Sequence, residues 1–414
     1  MKPYWEAGRY GSIWALGVLK SFQEIAVLCK ELLKIWSALI LFEKYLNKLE
    51  ERLTHISGSH FKPRVFSFEW FLIAISSGYG LGVWFRLWLY KKKILKQKTL
   101  PCFVISIGNI VVGGAGKTPM AIYVAGLLKK MGKRPVVVSR GYRGKYKDHS
   151  VIVSNGDQIF LKAKESGDEP YMMAKRRAFP VVVGKDRFTA GIKAIDAFKP
   201  DVIVLDDGFQ HLKLKRDLDF LLLDYSNPLG NKRFLPAGRL RETPQASAQR
   251  ADVLIFTRSP DKDENTERLE EVLLHYPDCP WFKTFHRPFV FKQINAGSKE
   301  SMVDVSGLKG KKAVLFSGIA NNRSFYFSMK ELGVNVLEHL EFKDHYRYKE
   351  SDIVLINNAV QKVCADVILT TEKDWAKFDR NIKWVLDLIV MGIQIEFEDP
   401  QRFESLLNSK LKKQ

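Results

Sequence analysis

The stretch IGNIVVGGAGKTP, residues 107–119, decides how the rest of the chain is read. It continues a strand-like run begun at Pro101 and leads into a helical pattern from Met120 to Lys130. Strand, glycine-rich turn and helix in that order make a phosphate-binding loop, where amides freed by glycine and the helix N-terminus converge on phosphate oxygens. Gly113, Gly114, Ala115 and Gly116 supply the turn. Lys117 is placed to reach the β- and γ-phosphates and the Thr118 hydroxyl to ligate Mg²⁺. The full motif asks for glycine at 111, where this chain has Val111; the half nearer the helix is intact.

Such a loop works with an acidic partner at the end of an apolar strand, which holds the metal. Residues 201–207, DVIVLDD, end in Asp206 and Asp207. Side chains alternate along a strand, so one carboxylate serves Mg²⁺ while the other orients a neighbour. Further buried-strand runs, PVVVS (135–139), FLLLD (220–224) and DVLIFT (252–257), alternate with helical stretches. They predict an α/β fold: a P-loop NTPase-like parallel-sheet domain over residues 100–290. KKAVLFSG and DVILTT, within 311–400, predict a smaller α/β domain over 291–414. The string TTEKD (370–374) resembles a guanine-reading motif, but its lysine stands one position late, so no GTP specificity follows.

The chain has 414 residues, and its 66 Lys+Arg against 46 Asp+Glu give a net charge of +20. With 46% hydrophobic and 12% aromatic residues it is neither disordered nor collagen-like. The four cysteines are widely spaced, which suggests neither a zinc cluster nor a disulfide framework. The positive surplus suits nucleic acid, an anionic membrane or a phosphorylated substrate. Its location favours the last two: residues 91–150 hold 14 Lys/Arg and a single acid, Asp148, directly after an apolar run. That run, Trp70–Phe85, has 16 uncharged residues. At about 1.5 Å per residue it reaches about 24 Å, short of a hydrocarbon core of about 30 Å. Residues 65–99 are therefore expected to form an anchor helix with a basic flank that dips into one leaflet, with Trp70, Trp84 and Trp88 at the headgroups. Residues 1–64 form an N-terminal extension in which Ile25, Leu28, Leu32, Trp36 and Leu39 describe an amphipathic helix, fit either for packing on protein or for a membrane surface.

Six strings together carry a resemblance: IGNIVVGGAGKTP, VVSRGYRG (137–144), SGDEP (166–170), LDDGFQH (205–211), LPAGRLRE (235–242) and TTEKD. In these the chain resembles the lipid A 4′-kinases, also called tetraacyldisaccharide 4′-kinases, over about residues 65–400. Val111 is in keeping with that family. The resemblance implies two α/β domains joined by a short β linker. It implies a magnesium-dependent enzyme that moves the γ-phosphoryl of ATP to the 4′-hydroxyl of a lipid A disaccharide 1-phosphate, on the cytoplasmic face of the bacterial inner membrane, with an anionic membrane surface and no nucleic acid as partner. Carried over by position, Lys117 and Thr118 serve nucleotide and metal, and Asp206 and Asp207 serve Mg²⁺. Gln210 and His211 fall at the nucleotide and Arg239 at the active site. Asp168 becomes the base for the sugar hydroxyl with Glu169 beside it, and Asp344 and His345 supply a carboxylate–histidine pair from the second domain. A membrane-tethered P-loop switch ATPase is the alternative, but it would normally carry lysine just before the glycine pair, where this chain has Val111 and Val112. A nucleic-acid-binding ATPase ranks third.

Overall fold

The structure, a computed structural model, describes residues 66–142, 144–262, 266–296, 304–378 and 382–412. The extension expected over 1–64, with its amphipathic helix, lies outside the described residues.

The strand-like runs form strands. They are β1 (Phe103–Gly108), β2 (Pro135–Ser139), β3 (Ser150–Ser154), β4 (Val181–Gly184), β5 (Val202–Asp206) and β6 (Leu218–Asp224). There follow β7 (Val253–Thr257), β8 (Trp281–Ile294), β9 (Lys312–Ser317), β10 (Asn335–Glu341), β11 (Val367–Thr371) and β12 (Leu388–Phe397). All join one sheet in the order β10-β9-β11-β12-β8-β7-β6-β1-β5-β2-β4-β3. Strand β1 pairs in parallel with β5 and β6, and every one of its residues is buried, which is why its sequence is apolar without alternation. Helix Lys117–Lys130 covers one face, packing Met120, Val124 and Leu128 among Ile105, Ile107 and Phe220. Helix Arg187–Phe198 covers the other, setting Ala190 and Ala194 on Val138, Ile203 and Leu205. The ends of β1 and β5 therefore meet at one edge of a rigid sheet, where an open α/β sheet places its ligand.

Strand β8 belongs to both units. Its first residues pair in parallel with β7, and Thr284–Ile294 pair antiparallel with β12. The boundary expected at 290/291 falls inside this strand. The chain end returns to the first unit: Phe403, on helix Pro400–Leu411, stacks on Phe397 at 4.0 Å between ring centroids and meets Phe282 and Phe220 at 5.3 and 5.6 Å.

The anchor segment forms one helix, Phe68–Lys91, of 24 residues. That is about 36 Å at about 1.5 Å per residue, and among the described residues it is the one helix long and apolar enough to cross a membrane by length and composition. It outruns the 16-residue apolar stretch because its charged end is received by protein: Arg86 donates to the Gln210 carbonyl at 3.0 Å and Lys91 to Gln249 Oε1 at 3.4 Å. Leu72, Ser76 and Gly80, four apart, form the docked face. Ser76 Oγ accepts from the Ala237 amide at 2.9 Å. A Cβ at Gly80 would lie 2.6 Å from the Phe234 ring, so only glycine admits that ring. Phe71, Ile75, Leu81, Trp84 and Phe85 remain exposed.

Candidate active site

After β1 the chain turns through Asn109–Gly116 and enters helix Lys117–Lys130. The outer wall of this loop is the 235–242 segment: the Val112 amide donates to Arg239 O at 2.8 Å and the Arg241 amide to Ile110 O at 2.7 Å. Gly116 caps the helix with φ 75°, a left-handed conformation, and a Cβ there would lie 2.8 Å from His286 Nε2. With no side-chain cap at this end, the first-turn amides are left for an anion. Lys117 Nζ lies 3.2 Å from Asn109 Oδ1, which it donates to, and 3.7 Å from Asp207 Oδ1. The open glycine edge is flanked by two guanidinium groups: a Cβ at Gly113 would lie 3.8 Å from Arg239 Nη2 and one at Gly114 3.5 Å from Arg258 Nη2.

Asp206, the last residue of β5, is buried. Thr118 Oγ1 and Ser139 Oγ each lie 3.4 Å from its Oδ2. Its Oδ1 is buried without a hydrogen-bond partner among the described residues. Burial pushes this carboxyl up to about 7, helped by the negative charges of Glu169 and Asp207. A hydroxyl and an unsatisfied buried carboxylate oxygen beside a phosphate loop fit a hard, oxygen-loving cation such as Mg²⁺. Asp207 lies just past the end of β5, where the chain has left the strand, and its carboxylate is held by other groups. Its backbone sits at φ 53°, and its Oδ1 accepts from Arg241 Nη1 at 3.0 Å. Burial alone would raise the Asp207 carboxyl, but Lys117, Arg241 and Arg187 outweigh it and hold it below the usual carboxylate range.

Asp168 and Glu169 open helix Asp168–Lys175. The preceding Gly167 has φ 94°, and a Cβ there would lie 2.6 Å from Tyr142 O, so this turn presses against Gly141 and Tyr142. His345, at φ 60° in the turn after β10, lies with Nδ1 2.8 Å from Asp168 Oδ2. Its Nε2 is 3.7 Å from Asp344 Oδ2, and Asp344 Oδ1 accepts from Lys373 Nζ at 3.1 Å. Burial would raise the Asp168 carboxyl; the His345 hydrogen bond, with Lys377 and Lys373 nearby, more than reverses this and holds it low.

The structure thus brings Lys117, Thr118, Asp206 and Asp207 to one corner and Asp168, Asp344 and His345 to another. Glu169 follows Asp168 in the first turn of its helix, and its negative charge helps to raise the Asp206 carboxyl. Gln210 and His211 stand behind this front. The Gln210 amide donates to Asn109 O at 2.7 Å and to Glu242 Oε1 at 3.1 Å, and accepts from Arg241 at 3.0 Å. His211 sits by Asp186 and Arg187, its ring pushed down to about 4 by burial and by Arg187. Sequence reasoning passed over Asn109, Arg187, Arg241, Arg258 and His286. Asn109 and Arg241 lie inside strings already singled out, whereas Arg187, which donates to the Asp206 carbonyl at 3.3 Å, had no motif to announce it.

The family model of tetraacyldisaccharide-1-P 4′-kinase matches residues 68–412. A tetraacyldisaccharide 4′-kinase of Syntrophus aciditrophicus is 37% identical over 355 residues, covering 83% of this chain and 94% of that protein. One from Desulfatibacillum aliphaticivorans is 39% identical over 343 residues, covering 81% and 91%. Among solved structures, LpxK from Aquifex aeolicus, in complex with ATP, superposes with a TM-score of 0.65 at 34% identity, covering 83% of this chain and all of that one. With the fold, the phosphate loop and the length of the match in agreement, the chain belongs to the tetraacyldisaccharide 4′-kinase family.

Proposed function

We propose that this protein transfers the γ-phosphoryl group of ATP to the 4′-hydroxyl of a tetraacyldisaccharide 1-phosphate, a step of lipid A assembly. The observation that carries the reading is the presence, on one face of the sheet, of a phosphate loop and a hydrogen-bonded Asp168–His345 pair. Phosphoryl transfer needs positioning and charge neutralisation more than covalent chemistry. The loop amides and Lys117 take the β- and γ-phosphates, and Arg239 and Arg258 flank them. Thr118 and Asp206 would hold Mg²⁺, with Asp207 steering Lys117 and Arg241. When bound, the ion supplies charge neutralisation at the phosphate oxygens.

Asp168 receives the proton of the sugar hydroxyl on a carboxylate oxygen. Because His345 occupies Oδ2, Oδ1 is left for the hydroxyl, and the carboxylate is ionised throughout the neutral range. Asp344 holds the far side of the imidazole.

The exposed face of helix Phe68–Lys91, followed by Lys92, Lys93, Lys96 and Lys98, is the surface we assign to anionic lipid on the cytoplasmic side of the inner membrane. The positive surplus then serves lipid and phosphate. Incubation with Mg-ATP and a tetraacyldisaccharide 1-phosphate tests the reading: a bisphosphorylated lipid supports it, and ATP hydrolysis with no lipid product returns the switch-ATPase alternative.

A further inference from the structure

Helix Asp168–Lys175 makes a contact with the second unit at each of its ends. At the first, Asp168 meets His345; at the second, the C-cap residue Arg176 pairs with Glu372 Oε2 at 2.6 Å. An eight-residue helix is a strut about 12 Å long at about 1.5 Å per residue. Glu372 belongs to TTEKD and has no part of its own in the chemistry proposed above. The next residue of that string, Lys373, binds Asp344, the neighbour of His345. The contacts close a ring through Asp168 and Arg176 on the first unit and Glu372, Lys373, Asp344 and His345 on the second.

The second contact is enclosed by aromatic rings and backbone of the second unit. The Arg176 guanidinium lies 4.8 and 5.0 Å from the rings of Phe289 and Phe291, both on β8, the strand that joins the units. On β12, a Cβ at Gly392 would lie 2.6 Å from the Phe289 ring and 3.0 Å from Glu372 Oε2, so the site requires glycine there. Only 17% of the Arg176 side chain and 5% of that of Glu372 are exposed. A buried ion pair loses much of its attraction to desolvation, so it is a poor source of net stability and a better source of a defined register.

We infer that Arg176 and Glu372 are positioning residues for the transfer: their ion pair fixes the second unit about β8 and β12 so that His345 lands on Asp168. The inference rests on the reading of Asp168 as the base. It is tested by measuring kcat and the KM for ATP in the full-length protein for Asp168→Ala, Arg176→Ala, Glu372→Gln, His345→Ala and the double variant Arg176→Ala/His345→Ala, with thermal unfolding followed for each. Loss of the pair is expected to lower kcat by about 100-fold, the cost of misplacing a catalytic group by about 1 Å, with the KM for ATP unchanged. Because the pair acts through His345, the double variant should be no slower than His345→Ala alone. Full kcat in folded Arg176→Ala, or losses that multiply in the double variant, would overturn the inference. Should Arg176→Ala fail to fold, Glu372→Gln, nearly isosteric, carries the same test. Normal turnover in Asp168→Ala would instead refute the base assignment, a separate outcome.

Discussion

His345 Nδ1 lies 2.8 Å from Asp168 Oδ2, and the two residues come from different units of the sheet. Each is presented by unusual backbone: Asp168 follows Gly167 at φ 94°, and His345 itself sits at φ 60°. A non-glycine residue held in the left-handed region marks a place where the surroundings over-determine the backbone. Asp168→Asn keeps the shape and removes the basicity. It is expected to lower kcat by about 10²–10⁴-fold with nucleotide affinity retained, as steady-state assays and nucleotide titration will show.

The same contact sets a pH dependence. The His345 hydrogen bond and nearby lysines hold the Asp168 carboxyl below its ordinary range against the opposing effect of burial. The contribution of Asp168 to the acid limb of kcat/KM should therefore lie below the usual carboxylate range in the native protein. In His345→Ala burial acts with less opposition, so the limb should move to higher pH. A pH–rate profile of both proteins checks this; identical limbs would remove Asp168 from the rate law.

Lys117 lies within hydrogen-bond reach of Asn109 and 3.7 Å from Asp207. Lys117→Ala removes the loop's cationic side chain and leaves Asp207 to Arg241. Turnover should be abolished while the protein stays folded, measured by product formation and by circular dichroism.

Helix Phe68–Lys91 reaches the active-site wall through the 235–242 segment. Gly80 is the position where no side chain fits, since the Phe234 ring occupies that space. Gly80→Leu is expected to unseat the helix, raising the KM for lipid severalfold while the KM for ATP holds. Kinetics with each substrate varied in turn will separate the two, and an unchanged KM for lipid would mean that the docking is incidental.

His286 stands behind Gly116, its ring pushed down to about 4 by burial and by Arg258. An unfolded histidine titrates near pH 6.5, so below that pH the unfolded chain binds a proton that the folded one refuses. Stability from this group is full above about pH 6.5 and is lost progressively as pH falls toward about 4. At pH 5 the loss is on the order of 2 kcal/mol. Urea unfolding at pH 7 and pH 5 should show a smaller drop for His286→Gln than for the native protein.

The core strands and the phosphate loop were legible because they are local: β1, β5 and β6 are unbroken apolar runs, and GGAGKT stands where a strand becomes a helix. The α/β class followed. Less legible were features that depend on distant partners. The anchor helix exceeds its apolar run because Gln210 and Gln249 receive Arg86 and Lys91, residues more than a hundred positions away. Strand β8 hid the junction by serving both units with one continuous run. Asp168 and His345 could be placed only through the family resemblance, since a capping aspartate and a surface histidine have the same local signature. Arg187, beneath Asp206, had no signature at all.

The central claim is that the γ-phosphoryl group goes to a sugar hydroxyl deprotonated by Asp168. The most direct measurement is a single turnover with γ-labelled ATP and a tetraacyldisaccharide 1-phosphate, with the labelled product located by NMR. The account predicts label on the 4′-oxygen for the native protein and almost none for Asp168→Asn under the same conditions. Label appearing as free phosphate, or on the 4′-oxygen at equal rates in both proteins, would contradict it.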